Sequence, residues 1–451
     1  MSSDLLSIGA SGAKAARIAL DVTGQNIANA SSEGYIRRTA KMTEVASTGY
    51  QGAVRDVSLS GVRISGVIRN ADAFRQAEVR RTGSDTARAS TEVTGLSSVE
   101  AALENSNVYS AITGFEGALQ KLKEDTTSPS LRASVIEAAR TMTDTFQIAS
   151  QQIDAVGTGL RFNAADGVDQ INRIAGELAR TNLRLSRAAD ASSDQTALLD
   201  QRDKLLNDLS QYADITTTFA SDGTVAVTIG GGSAPTLVQG GDTYALAMTT
   251  SSSTDPTLDG MVTFDVGGAP VTLSGGSLAG EQQTLTKLGS VKGDLDQLAR
   301  DIAKTVNDAQ KNGVDLNAAT GANLFTANNA ADFALATSDG SKIATAAAGS
   351  LQNSRDTTNF DAMLSDLATT NPAGRMDAIL FDVSATVSGR TVTRDALKTI
   401  SDAAATALSA QSGVDLNTEA VNLVRFQQAF QASGRVMQVA ADLFDTLLQI
   451  R

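Results

Sequence analysis

Apolar residues recur every seven positions at both ends of the chain and lose that period in between. Near the C-terminus Leu416, Leu423, Phe430, Met437 and Phe444 keep the spacing, with Phe426 and Leu447 on one adjoining line and Ala420, Ala441 and Leu448 on another. Near the N-terminus Leu6, Ala13, Leu20 and Ile27 do the same, flanked by Ile8, Ala15 and Val22. A seven-residue repeat lays one apolar stripe along a helix and asks for a partner helix. Two such helices at opposite termini can partner each other or the same segments of neighbouring copies. Small residues in the first helix, Ala13, Ala16 and Ala19, let helices approach closely. A helix of about 25 residues with so slight an apolar face is marginal alone in water, so it depends on that partner.

Between the ends the pattern changes several times. The first helix covers residues 4–30 and stops at Asn29-Ala30-Ser31-Ser32-Glu33-Gly34, a run of turn formers. Alternating β-branched residues from Val54 to Ile68, broken by Gly61 and Gly66, predict a pair of short strands or an extended excursion. Residues 71–124 read as helix with breaks near Gly83 and Asn105. A second long helical stretch runs from Ser128 or Ser130 to about Tyr212, weakest at Gly157 and Gly159, with Asp203 and Asn207 on its solvated side. Ile215–Phe219 and Val225–Ile229 flank Asp222-Gly223 and predict a hairpin, Gly230–Ser233 a turn, and Tyr244–Met248 and Met261–Val266 further strands. Helix returns over 282–312, residues 327–375 carry no clear period, and a last helical region starts near Met376 or Thr393 and breaks at Gly413.

The fold class predicted is mainly α with an inserted all-β domain, built as a terminal coiled coil plus a discontinuous helical bundle. The terminal domain takes 1–45 and 405–451, an extended linker or short strands 46–67, the bundle 68–212 and 282–404, and the β domain 213–281.

Composition narrows the chemistry. The 451 residues are 41% hydrophobic and only 4% aromatic, so the cores are aliphatic. A net charge of −13 and a pI near 4.6 argue against a nucleic-acid partner, which needs basic surface to neutralise phosphates. Cys, His and Trp are absent, which removes disulfides, thiolate sites, the commonest general base and the commonest metal ligand. No catalytic, cofactor-binding or metal-binding residues are expected, and an enzyme is not. Asp200, Arg202 and Asp203 read as a solvated or salt-bridged helix end. Gly230–Gly232 lacks the Lys-Ser/Thr of a phosphate loop. Asp315-Leu316-Asn317 lacks the spacing and final Glu of a calcium loop. No run reaches the roughly 20 apolar residues of a membrane span, so membrane insertion is not expected. Met1–Ala10 has neither the charged start nor the apolar core of a cleaved signal peptide.

Asn26-Ile27-Ala28-Asn29-Ala30-Ser31-Ser32-Glu33-Gly34-Tyr35 is the sharpest local string. It resembles the N-terminal signature of the axial proteins of the bacterial flagellum, the rod, hook and hook-associated proteins, with Ser32 and Glu33 where Thr and Pro are usual. Gly61–Val67 followed by Asp72-Ala73-Phe74 is similar to hook-associated members of that family. So are Leu198–Asp203 running into Asp222-Gly223-Thr224, Val238-Gln239-Gly240, Gly413–Ala420, Arg425–Ser433 and the terminal Phe444–Arg451. Residues 327–375 match nothing in it. The resemblance implies a structural adaptor at the hook–filament junction. It would leave the cell through the flagellum's own type III export channel without a cleaved signal and assemble extracellularly through paired terminal helices. The partners implied are further copies in a ring, the hook protein, a second junction protein (hook-associated protein 3) and an export chaperone on the C-terminal helix. The expected assembly interface is Leu416, Leu423, Phe426, Phe430, Met437, Phe444 and Leu447, with Ile8, Leu20, Val22 and Ile27 opposite. A hook or rod axial protein, or a secreted coiled-coil adhesin, is the alternative.

Overall fold

A computed structural model describes residues 2–32, 34–47, 58–231 and 234–449. The chain runs through α1 (Ser2–Ala28), β1 (Arg38–Ser47), β2 (Ser58–Arg69), α2 (Ala73–Ser106), α3 (Val108–Leu122), α4 (Pro129–Leu185) and α5 (Ser193–Tyr212). Strands β3 (Ile215–Phe219), β4 (Val225–Ile229), β5 (Thr236–Gln239), β6 (Asp242–Thr243), β7 (Leu246–Thr250), β8 (Val262–Val266) and β9 (Ala269–Val271) follow. Four helices close the chain: α6 (Gly276–Asn312), α7 (Thr358–Thr370), α8 (Pro372–Ser412) and α9 (Leu416–Gln449). The architecture is helical with small inserted sheets. Two compact units share it, Met1–Ser84 with Ile171–Ala245 and Lys398–Arg451, and Asp85–Gln170 with Leu246–Leu397. The stretch 213–281 forms two sheets, ordered β3-β4-β5-β6 in the first unit and β7-β8-β9 in the second.

In the first unit α1 packs antiparallel on α9. Gly9 lies beside Met437 and Ser433, Gly12 beside Ser433, and Asn26 beside Glu419. The face α1 turns inward carries Gly9, Ala16 and Thr23 at one heptad position and Gly12, Ala19 and Asn26 at the other, with Ala15 and Val22 buried beside them. Glycine and alanine bring the two backbones close, so the seam is tight without large side chains.

A long antiparallel hairpin, β1 with β2, leans on that pair. Gly61 sits at φ +102, where a Cβ would run into Ser11 Oγ; this hydroxyl accepts from the Val62 N–H at 3.2 Å and donates to the Ile8 carbonyl at 2.9 Å. Gly66, also at positive φ, makes room for Ala191, whose carbonyl accepts from the Val67 N–H at 3.0 Å. The pair of strands expected within 54–68 is instead a single strand paired with 38–47, and residues 48–57 lie outside the described residues. β1 reads Arg-Thr-Ala-Lys-Met-Thr-Glu-Val-Ala-Ser. Its described side chains are half-buried or exposed, so no apolar alternation announces it.

The helical stretch 128–212 also departs from expectation. Gly157 and Gly159 leave α4 intact, and the break comes at 186–192. There Ser192 Oγ accepts from the Gln195 N–H at 3.0 Å, while Gln195 Oε1 accepts from the Ala191 N–H at 2.7 Å. This reciprocal cap starts α5. Likewise α2 passes straight through Gly83 and stops before Asn107, which adopts the left-handed conformation at φ 59.

The second unit is a bundle of mostly aliphatic side chains with one aromatic cluster. Phe325 meets Phe115 edge-on at 5.6 Å and Phe333 at 5.1 Å, and Phe333 meets Phe146 at 5.2 Å. Phe325 and Phe333 belong to the irregular 313–350 region, where strand pairs are two residues long. Arg132, 1% exposed, holds that region from α4. It donates to the carbonyls of Thr126, Gly340 and Ile343 at 2.6, 3.0 and 2.8 Å and to Thr345 Oγ1 at 3.0 Å. Burial pushes its guanidinium down to about 10, against a smaller opposing pull from Asp315.

Candidate assembly interface

Asn26 is the hub of the corner where α1 ends, β1 begins and α9 starts. Its amide is 1% exposed and makes four hydrogen bonds. Nδ2 donates to the Arg38 carbonyl at 2.9 Å and to Glu419 Oε2 at 3.2 Å; Oδ1 accepts from the Arg38 N–H and from Tyr35 Oη, both at 3.0 Å. An amide fits here because it offers donors and an acceptor at once. Glu419 is itself buried and takes Arg37 Nε at 2.7 Å. The Arg38 guanidinium covers the Tyr35 ring at 5.1 Å. Burial raises the Tyr35 phenol above its ordinary range despite the nearby Arg38. The Asn-Ile-Ala-Asn string is thus more than a helix stop: its first residue ties the two terminal helices to the hairpin.

Beside this corner the middle of α5, rather than a helix end as expected, builds an ion network. Asp200 takes Arg38 Nη2 at 2.7 Å and Arg69 Nε at 2.8 Å. Asp203 takes Arg69 Nη2 at 2.7 Å, Arg202 Nη2 at 2.6 Å and Gln76 Nε2 at 3.0 Å. Asp203, expected on a solvated face, is buried, because Arg69 from β2 and Gln76 from α2 close over it. Burial alone would raise its carboxyl, but Arg202 and Arg69 outweigh this and hold it below the usual carboxylate range. Arg202 also donates to the Gly223 carbonyl at 2.6 Å and stacks 4.5 Å from the Phe219 ring, which fastens the β3–β4 turn to α5. With its charges neutralised by neighbours, this cluster positions elements and leaves no free nucleophile or base. Among the described residues, no three carboxylates converge to hold a metal ion, and no helix is long and apolar enough to cross a membrane.

The structure separates the predicted interface residues into two groups. Val22 is buried on α1, and Ile8, Leu20, Leu423, Phe426 and Met437 are half-buried on α1 and α9. Leu416, Phe430 and Phe444 are 53%, 45% and 53% exposed, and Ile27 is exposed as well. The side chain of Leu447 lies outside the described residues. Closing the small-residue seam therefore leaves the largest residues of the α9 stripe facing solvent. At the Asn26 end of the pair opens a cleft of about 660 Å³. Tyr35, Ile36, Val79, Leu408 and Val414 line it with Arg80.

The helices at both termini, joined through the buried asparagine corner, carry the sequences of an axial component of the bacterial flagellum. The terminal segments match family models accordingly: residues 6–35 match that of the flagella basal body rod protein, and 407–450 that of the flagellar basal body rod FlgEFG protein C-terminal region. The model of the flagellar hook-associated protein FlgK helical domain matches residues 96–325, and the chain belongs to that FlgK family of hook-associated proteins. Flagellar hook-associated protein 1 of Escherichia coli (strain K12) is 27% identical over 553 residues, spanning 100% of both chains. The protein of the same name from Bacillus subtilis (strain 168) is 24% identical, spanning 96% of this chain and 95% of that one. The fold is similar to that of the flagellar hook junction protein FlgK from Burkholderia pseudomallei, with a TM-score of 0.54 and 20% identity over 60% of this chain and 66% of that one. The helical-domain match separates this chain from rod and hook proteins, and nothing favours the adhesin.

Proposed function

We infer that this chain is a non-enzymatic adaptor at the junction between flagellar hook and filament. The observation that carries this reading is the exposed stripe of Leu416, Phe430 and Phe444 on α9, left over after the α1–α9 seam is closed by glycine and alanine. Large apolar residues spaced by multiples of seven on a solvent face call for an external helix partner. Such partners are further copies in a ring, the hook protein on one side and hook-associated protein 3 on the other. The same amphipathic α9 suits an export chaperone before assembly, and passage through the flagellum's own channel places the protein outside the cell.

Gold-labelled antibody on intact flagella tests the location: one band between hook and filament is expected, and label along the whole appendage or over the cell surface would refute the reading. A Phe430→Asp chain tests the stripe. It should fold normally by circular dichroism, because the side chain is already exposed, and should fail to join the flagellum. Normal assembly of that variant would remove Phe430 from the interface.

A further inference from the structure

Three helices of the second unit leave an open groove of about 450 Å³ between them. One wall is α2, which turns small residues to it, Thr94, Gly95 and Ser98 among them. The other is α4, with Val156, Gly159 and Leu160, and Glu281 reaches the groove from α6. Gly95 sets how near the helices come. A Cβ there would lie 2.6 Å from Thr284 Cγ2 of α6 and 3.1 Å from Leu160 Cδ2 of α4.

Glu281 is 5% exposed, and its Oε2 has no hydrogen-bond partner. A buried carboxyl oxygen left so is costly and calls for a donor or a counter-charge. Among the described residues, the groove lining carries no lysine or arginine. The nearby cations are turned elsewhere. Arg88 of α2 faces Glu92 at 3.6 Å and Gln283 at 3.3 Å, Arg390 of α8 pairs with Glu92 at 2.9 Å, and Arg161 of α4 donates to Thr158 Oγ1 at 3.2 Å. The charge that Glu281 does feel is Asp166 of α4, exposed and of the same sign.

The α2 hydroxyls add acceptors to the groove. Thr94 Oγ1 donates to the Ser90 carbonyl and Ser98 Oγ to the Thr94 carbonyl, both at 3.0 Å, so what each has left is lone pairs. A ligand that suits this lining brings N–H donors, a positive charge and an apolar part for Val156 and Leu160. The volume lies within the roughly 300–1,000 Å³ of small-molecule sites, and a bare metal ion would leave most of it empty. Among the described residues, no three carboxylates gather to hold such an ion.

We propose that this groove binds a primary alkylammonium group, its nitrogen on Glu281 and its methylene chain against Val156 and Leu160. All these residues belong to the second unit, so the inference does not rest on the adaptor reading.

Isothermal titration calorimetry of the full chain with n-butylammonium chloride tests it, against potassium chloride at equal ionic strength. Butylammonium should bind saturably, and tetramethylammonium, which has no N–H, should not. The amine stays charged throughout, as a lysine does with its pKa of about 10.4. Glu281 titrates at about 7, so its ionised fraction rises about tenfold from pH 6 to pH 8, and the Kd should fall about tenfold with it. Glu281→Gln should weaken binding at least about tenfold. Gly159→Leu fills the groove from an exposed position where an added Cβ meets nothing within 4 Å; it should weaken binding as much and leave circular dichroism unchanged. No saturable binding, equal binding of tetramethylammonium, a Kd independent of pH, or full binding by either variant would each overturn the proposal. So would displacement by an equal concentration of magnesium chloride, which would make this a divalent-cation site. Cadaverine and Nα-acetyl-lysine amide separate the sources of the group. Tighter binding of cadaverine assigns the groove to a free diamine whose second ammonium meets Asp166, and tighter binding of the lysine derivative assigns it to a lysine side chain of another protein.

Discussion

Replacing Asn26 with aspartate alters one amide and should open the corner that joins α1, β1 and α9. The two hydrogen bonds from Nδ2, to the Arg38 carbonyl at 2.9 Å and to Glu419 Oε2 at 3.2 Å, are lost. Each abandoned buried acceptor costs about 1–3 kcal/mol. The new carboxylate also faces the buried Glu419, and two like charges about 4 Å apart repel by about 4 kcal/mol at an effective dielectric of about 20. Arg37 on the far side of Glu419 offsets part of this. The net loss at pH 8 is about 4–6 kcal/mol, concentrated at this corner. Asn26→Ala loses all four hydrogen bonds, leaves two buried acceptors and two buried donors without this partner, and on the same scale costs about 4 kcal/mol or more. Hydrogen exchange of peptides from α1 and β1, corrected for intrinsic rates, reads these local openings directly. Wild-type protection of these peptides in either variant would show that the corner is not held by this amide.

Three further changes test other parts of the fold. Burial pushes the Glu281 carboxyl up to about 7, with Asp166 adding to the rise. A folded-state value above the unfolded one favours the folded state at low pH, and this contribution, roughly 2–3 kcal/mol, is lost as pH rises from about 4.5 through 7; Glu281→Gln should remove that slope from urea melts and leave the variant the more stable protein at pH 8. Arg132→Met strips four hydrogen bonds from a buried site and should cost about 3–5 kcal/mol, seen as faster exchange over 340–345; unchanged exchange there would refute the anchoring role. Gly61→Ala forces a Cβ into Ser11 at φ +102 and should cost about 2–3 kcal/mol, of which Ser11→Gly in the same chain recovers only the steric part; full recovery would show that backbone strain contributes nothing.

Elements with a strong period were legible in the sequence; those fixed by single polar atoms were not. The helices of both termini, the β3–β4 hairpin and α6 all carry apolar repeats that name their own conformation. The break at 186–192 carries none: it depends on Ser192 and Gln195 exchanging hydrogen bonds with backbone, a signal present as Ser-x-x-Gln and hidden by the stronger glycine signals at 157 and 159. Strand β1 was invisible because most of it faces solvent, so its pairing comes from β2 rather than from its own pattern. The 327–375 stretch was opaque for a third reason. Its order is borrowed from Arg132 and Phe146, both distant in sequence.

The same distinction governs the interface. A periodicity reading gives weight to large side chains, so it draws one stripe through Leu416, Leu423, Phe430, Met437 and Phe444 and assigns it to one partner. Backbone approach obeys a different rule: Gly9, Gly12, Ala16 and Ala19 set how near α9 can come, and they select the face with Glu419, Ser433 and Ala440. One helix thus carries two interlaced repeats, offset by three residues. The small-residue repeat is satisfied within the chain. The large-residue repeat is satisfied only in part, through Leu423 and Met437, and its remaining members stay in water until something covers them. Filling the inner seam would therefore act outward. A Gly12→Leu chain must push α9 away from α1 and move Phe430 and Phe444 with it, so it should lose assembly even though no exposed residue has changed. Assembly at the wild-type concentration by that variant would show that the inner repeat does not set the outer one.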